Sequence, residues 1–204
     1  MPRTKNRAWS IQRSLPFILL IGGAIGLLAS FVLTIETINL LKDPSYQPSC
    51  SINPLFDCGS AMTKGRASSL GLPDPVVGIA AFSVVITVGV AMLAGARLKR
   101  WFWQAFNLGA LGGVIFMHWM FFQSLYVLGT LCPFCMVVWG VTIPIFWYVT
   151  LYSLREGNLV VPKSLIGLKN FVLLYHKEIL VSWFVLLAAL VLHEFWYYWQ
   201  TLLP

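Results

Sequence analysis

Long apolar runs separated by short polar stretches dominate the chain, at residues 15–37, 76–96, 103–128, 131–154 and 179–200. A helix needs roughly 20 mainly apolar residues to cross a hydrocarbon core roughly 30 Å thick, and each run is about that long. In lipid a backbone must satisfy its own polar groups, and barrel strands would read as short alternating segments. Each run therefore predicts a transmembrane helix. The first run follows Arg7 and Arg13 and carries no charge before Glu36. It resembles a secretory leader in outline, but its apolar part is too long and no small-x-small cleavage pattern follows, so it predicts a retained helix.

Composition sharpens this reading. The chain is 58% hydrophobic and 10% charged, with a mean hydropathy of +0.78. Soluble domains carry about 25% charged residues, so a water-soluble fold is excluded. Neither an internal repeat nor a low-complexity tract breaks the pattern.

Charge sets an expected orientation. Eleven of the fourteen Lys and Arg fall before the first run, between the second and third, or between the fourth and fifth. The other side holds Lys42, Lys64 and Arg66. The positive-inside rule places the eleven in the cytoplasm, the N-terminus with them and the C-terminus outside. The net charge of +7 then belongs beside anionic lipid headgroups and calls for no nucleic acid. The expected organisation is a basic cytoplasmic segment (1–14), a four-helix unit (15–155) with an external loop (38–75), a cytoplasmic connection (156–178) and a fifth transmembrane helix (179–204).

That topology gathers all four cysteines on the external side. Cys50 and Cys58 lie in the long loop, and Cys132 and Cys135 open the fourth helix. An external compartment is one in which disulfides persist. Cys132-Pro133-Phe134-Cys135 is a C-x-x-C at a helix start, where open amides and the positive dipole end favour a thiolate. Pro133 suits the first turn, which has no helical bond to lose. Residues three apart share a helix face, so the two sulfurs can join. Cys132 is expected to be the more exposed, attacking sulfur and Cys135 the deeper one. Cys50 and Cys58, among Pro48, Pro54 and Gly59, form a small ring able to open and re-pair. Three fates stay open at this point: a redox pair, a structural loop disulfide, or half of a zinc site, whose ligand spacing the C-x-x-C also fits. A redox pair at a membrane rim requires an electron partner, and a lipid-soluble quinone is the obvious one.

Other polar residues have plainer explanations. Glu36 is either a functional acid or a side chain reaching the interface. His118 reads as a hydrogen-bonded interior histidine or a proton donor. Trp196 and Trp199 read as interfacial belt residues. Gly22, Gly23, Gly26, Gly109, Gly112 and Gly113 read as sites of close helix packing.

The order Cys50…Cys58, then Leu70-Gly71-Leu72-Pro73 with Gly78, then Cys132-Pro133-Phe134-Cys135 resembles the vitamin K epoxide reductase (VKOR) family, and its bacterial members most. The resemblance covers about residues 15–155. It implies an all-α membrane fold of five transmembrane helices, four packed around a quinone of the menaquinone or ubiquinone type and the fifth peripheral. It also implies that Cys50 exchanges with a partner, Cys58 relays to Cys132, and Cys135 reacts with the quinone. Many bacterial members continue into a thioredoxin-like domain. With none after residue 204, the expected partner is a separate thioredoxin-fold dithiol protein outside a bacterial plasma (inner) membrane. The implied activity is oxidation of that partner, and so disulfide formation in secreted proteins. No metal is implied.

Three positions depart from the family pattern. Trp139 stands where mammalian members carry a quinone-bonding tyrosine, and its indole donates but does not accept. Lys64, beside Thr63, replaces a serine or threonine. Asp74 replaces an asparagine, and reads as a quinone contact or a helix cap. Disulfide bond formation protein B performs similar chemistry, but its C-x-x-C precedes its spaced pair, the reverse of the order here. The competing class is a non-catalytic metal-binding membrane protein with the four thiolates as ligands. The scarcity of intramembrane acids and histidines argues against a transport pathway.

Overall fold

The computed structural model describes residues 3–43, 45–51, 53, 55–63, 74–159, 162–196 and 200. Helices make up most of them: α1 (Arg3–Lys42), α2 (Cys58–Thr63), α3 (Asp74–Leu93), α4 (Arg100–Phe122), α5 (Pro133–Arg155), α6 (Ile166–Leu174) and α7 (His176–Glu194). A π-helical turn over Gln123–Leu128 extends α4. Among the described residues five stretches are long and apolar enough to cross a membrane: Gln12–Lys42, Pro75–Leu93, Arg100–Leu128, Pro133–Arg155 and His176–Glu194. The chain is thus an all-α, multi-pass membrane protein.

Two compact units divide it. Met1–Asn158 contains α1 to α5, and Leu159–Pro204 contains α6 and α7. In the first unit α1 packs against both α3 and α5, while α4 packs against α5. Leu15, Leu19, Phe82, Trp103, Ile145 and Val149 form the main core, drawn from all four of these helices. Large side chains such as Phe17, Ile21, Leu28, Val84, Leu108 and Ile115 point outward. Exposed apolar surface on this scale is costly in water and is what lipid covers.

The helices differ from the hydropathy pattern at their ends. α1 runs well beyond 15–37 in both directions, because each residue added to an existing helix gains a bond without a new nucleus. α2 is too short to carry a periodic signal and begins where Asp57 accepts the N–H groups of Gly59 and Ser60 at 3.0 and 3.1 Å. α6 lies inside the expected connection 156–178, which is therefore partly helical. The connection after α4 turns on Gly129, whose φ of 65° suits a residue without Cβ.

The glycines divide into two groups. A Cβ on Gly23 would lie 2.8 Å from Ile86, and one on Gly89 3.1 Å from the Leu19 Cβ and 3.2 Å from the Pro16 carbonyl oxygen. Gly22 and Gly26 are similarly crowded by Ile145 and Phe82. These let α1 approach α3 and α5. Gly109, Gly112 and Gly113 do not serve close packing: the first two face open space, and Gly113 meets only Thr142 at 3.9 Å. Periodicity places a glycine on a helix face but does not say what lies opposite it. Gly89→Val should cost about 1–3 kcal/mol through overpacking against atoms that cannot rotate away. Gly112→Val should be nearly neutral, and thermal unfolding of the two variants in one detergent measures the difference.

Candidate redox site

The loop after α1 is built from polar side chains that cap its own backbone. Asp43 accepts the Ser45 N–H at 2.9 Å, and Asn53 accepts those of Leu55 and Phe56 at 3.1 and 2.8 Å. The chain then pairs in parallel with the segment before α5. Leu131 donates to the Leu55 carbonyl at 2.8 Å, and Asp57 donates to the Leu131 carbonyl at 3.1 Å. The Ser60 and Thr130 hydroxyls meet at 2.8 Å. Both strands of this bridge lead directly into cysteines.

Cys50 and Cys58 are joined in a disulfide, while Cys132 and Cys135 are thiols. The Cys58 and Cys132 sulfurs lie 3.1 Å apart. With Leu33, the cysteines Cys50, Cys58 and Cys132 form a second buried cluster, against which Met62, Phe134 and Cys135 pack. All four cysteines therefore meet at one end of the bundle. Cys132 sits just outside the membrane-spanning helix. Its thiol is held below its ordinary value by the Cys135 side chain and by the N–H groups of Cys135 and Phe134, against burial and the Asp57 charge. A lowered value means more of the nucleophilic thiolate near neutral pH.

The expected exposures of the C-x-x-C are reversed. Cys132 is 1% exposed, whereas Cys135 is half-buried and lines a cavity. Depth along the helix does not measure burial here, because the bridged loop lies over Cys132. The ring also differs from a loosely held one, with Cys50 and Cys58 at 4% and 0% exposure.

Below the sulfurs lies a cavity of about 620 Å³ between α1, α3, α4 and α5. Leu33, Phe82, Phe116, Met117 and Val138 give it an apolar wall, and Cys132, Cys135 and Trp139 line it too. This size and character suit a small apolar ligand, for which pockets of about 300–1,000 Å³ are usual. Trp139 is buried and meets the Phe121 ring edge-on at 4.8 Å. Gly78 lines the cavity where a Cβ would collide with the Ser30 hydroxyl. Asp74 opens α3, but its side chain lies outside the described residues, as do Lys64 and the segment Leu70-Gly71-Leu72-Pro73. His118 bonds the Val114 carbonyl at 2.9 Å, one turn back on its own helix.

Two carboxylates stand out, Asp57, which the sequence reading did not single out, and Glu36, for which it left two roles open. Asp57 accepts from the Ser51 hydroxyl as well as from Gly59 and Ser60. Glu36 is 6% exposed and accepts from Tyr46 and Ser49. It is neither solvent-reaching nor isolated. Asp57 gave no sequence signal beyond an acid beside a serine-rich, cysteine-bearing loop, whereas Glu36 was already a candidate as the acid at the end of an apolar span. Among the described residues no group of three or more His, Cys, Asp or Glu is arranged to hold a metal ion. With two sulfurs already joined, a four-thiolate site has lost half its ligands.

A model of the vitamin K epoxide reductase family matches residues 17–150. The chain belongs to the vitamin K epoxide reductase family. Membership makes it a membrane oxidoreductase, in a family whose members use quinones. A comparison with curated proteins returns no match. The matched stretch contains all four cysteines and every residue named as lining the cavity.

Two outcomes follow from this geometry. In Cys135→Ala, the Cys132 thiolate should attack Cys58 and displace Cys50. A Cys58–Cys132 disulfide should then be trappable in equilibrium with Cys50–Cys58, visible by alkylation and non-reducing peptide mapping. The second outcome concerns Asp57. Burial raises its carboxyl, but the bonds from Ser51, Ser60 and Gly59 outweigh that and hold it below its ordinary 3.8. A depressed carboxyl stabilises the fold above its unfolded value and loses that contribution as pH falls through the folded one. Hydrogen-exchange protection of residues 49–60 should therefore persist from neutral pH to about 4 and fail below it. Asp57→Asn should show weaker protection already at pH 7.

Proposed function

We propose that the chain is a thiol–quinone oxidoreductase that oxidises an external thioredoxin-fold dithiol protein and so drives disulfide formation. The observation that carries this reading is the 3.1 Å approach of Cys58 to Cys132, with Cys135 on the apolar cavity. A partner thiolate attacks Cys50 and breaks the Cys50–Cys58 bond, releasing Cys58. The partner's second thiol then closes its own disulfide and frees Cys50. Cys58 attacks Cys132 in its disulfide with Cys135, and Cys135 leaves as a thiolate at the cavity. Cys50 next attacks Cys58, which restores the loop disulfide and leaves Cys132 and Cys135 as a dithiol. Two electrons have moved from partner to C-x-x-C, and the resulting pairing is the one present here.

A quinone of the menaquinone or ubiquinone type in the cavity supplies the oxidant, taking two electrons and two protons as Cys132 and Cys135 rejoin. Cys135 and Trp139 would hold its ring, the indole N–H as a donor, with Asp74 as a further contact. Its direction follows from potential, since a quinone oxidises most protein dithiols. In this reading residues 15–155 form the catalytic bundle, 38–75 its external loop, 1–14 and 156–178 the cytoplasmic segments, and 179–204 a fifth, peripheral crossing. The distribution of Lys and Arg supports a cytoplasmic N-terminus, an external C-terminus and external cysteines, and the resemblance to bacterial members favours a bacterial plasma membrane.

Anaerobic reduction of a short-chain quinone by the purified protein tests the proposal. Cys135→Ala should abolish turnover with any donor. Cys50→Ala should lose it mainly with a protein dithiol and retain much of it with dithiothreitol. Absence of quinone reduction by the wild-type protein with every donor would overturn the reading.

A further inference from the structure

Within the proposed relay, the two sulfurs of the loop disulfide are held by different means. Cys58 follows a backbone bridge and opens α2, so secondary structure fixes it. Cys50 lies in a turn closed by the Ser51 N–H on the Pro48 carbonyl at 3.0 Å, and side chains on either side of it tie that turn to the rest of the site. Ser51 donates its hydroxyl to Asp57, and Ser49 donates its own to Glu36. Glu36 also accepts the Ser49 N–H at 3.4 Å and the Tyr46 hydroxyl at 2.9 Å. Both carboxylate oxygens are thus occupied by donors from one short segment ending at Cys50. Glu36 is the sole acid of α1, buried near the end of an otherwise apolar span. Burying a carboxylate is costly unless hydrogen bonds meet it, so the segment and the acid depend on each other.

We infer that Glu36 is a positioning residue for Cys50, acting through Ser49. While the ring is closed, latch and disulfide hold the same geometry. When Cys132 attacks Cys58 and the Cys50 thiolate leaves, the latch restrains the freed arm. The thiol of Cys50 stays beside Cys58 and re-forms the ring by expelling Cys132. Holding a nucleophile near its target raises its effective concentration. Without the latch the opened arm gains freedom, and the balance moves toward the Cys58–Cys132 pairing. This exchange is an isomerisation: one S–S bond forms as another breaks, and no oxidant or reductant is consumed.

The inference rests on the relay proposed above, but its test does not require quinone turnover. Full-length protein in detergent, carrying one disulfide among its four cysteines, is equilibrated without quinone, acid-quenched, alkylated and mapped without reduction. The ratio of Cys50–Cys58 to Cys58–Cys132 is the readout. Glu36→Gln and Ser49→Ala should each lower it about tenfold, as the loss of one charge-assisted hydrogen bond implies. The double variant should fall no further than Glu36→Gln alone, since the Ser49 hydroxyl contact is one of those weakened by that variant. Ser49→Thr, which keeps the hydroxyl, should restore the wild-type ratio. Ser49→Ala leaves α1 intact and so reads the latch even if Glu36→Gln folds poorly. An unchanged ratio in Ser49→Ala, or effects that multiply in the double variant, would overturn the inference. If the wild-type protein reduces no quinone, the proposed function fails, while this ratio still decides the role of Glu36.

Discussion

The parallel pairing of Leu55–Asp57 with Leu131 is the contact on which the site depends. Two backbone hydrogen bonds set the loop against the start of α5, one into Leu55 and one out of Asp57. Because the two segments run in the same direction, each passes from the bridge straight into a helix start, α2 at Cys58 two residues after Phe56 and α5 just after Cys132, the residue following Leu131. The sulfurs of Cys58 and Cys132 meet at 3.1 Å.

The bridge also explains why the sulfurs are shielded. Backbone groups at the edge of a bilayer need partners, and a loop that pairs with the bundle supplies them. Covering the start of α5 buries Cys132 and leaves Cys135 the more exposed of the two cysteines that line the cavity. Polar contacts gather on the loop side, through Asp57, Ser51, Ser60 and Thr130. Apolar side chains gather on the cavity side. The sulfurs lie at the border between a polar cap and an apolar chamber, where protein thiol exchange and chemistry with a lipid-soluble molecule can share one pair of atoms.

Two acids in the site act through hydrogen bonds. Asp57 begins α2 and ties the two arms of the disulfide ring through Ser51. Glu36 links the loop to α1 through Ser49 and Tyr46. Hydrogen bonds to ionised groups are roughly twice as strong as neutral ones, which suits them to hold a loop in which the described residues form only the short helix α2.

Much was legible in the chain alone, because the bilayer imposes a length and polarity on each span that local composition reveals. Five apolar runs gave five spanning helices, and the order and spacing of four cysteines pointed to the family. A helix start at the C-x-x-C followed from Pro133. What composition could not specify was what lies opposite each residue. The burial of Cys132 came from a loop more than 70 residues away in sequence, as the Cys58–Cys132 separation of 74 shows. The role of Glu36 depended on Ser49 folding back onto it, and the glycines of α1 and α4 looked alike until their neighbours were known. Periodicity and motif are local properties of a chain. Which sulfur is covered, which acid is satisfied and which glycine is crowded are set by contacts between distant segments, and only the tertiary structure decided them.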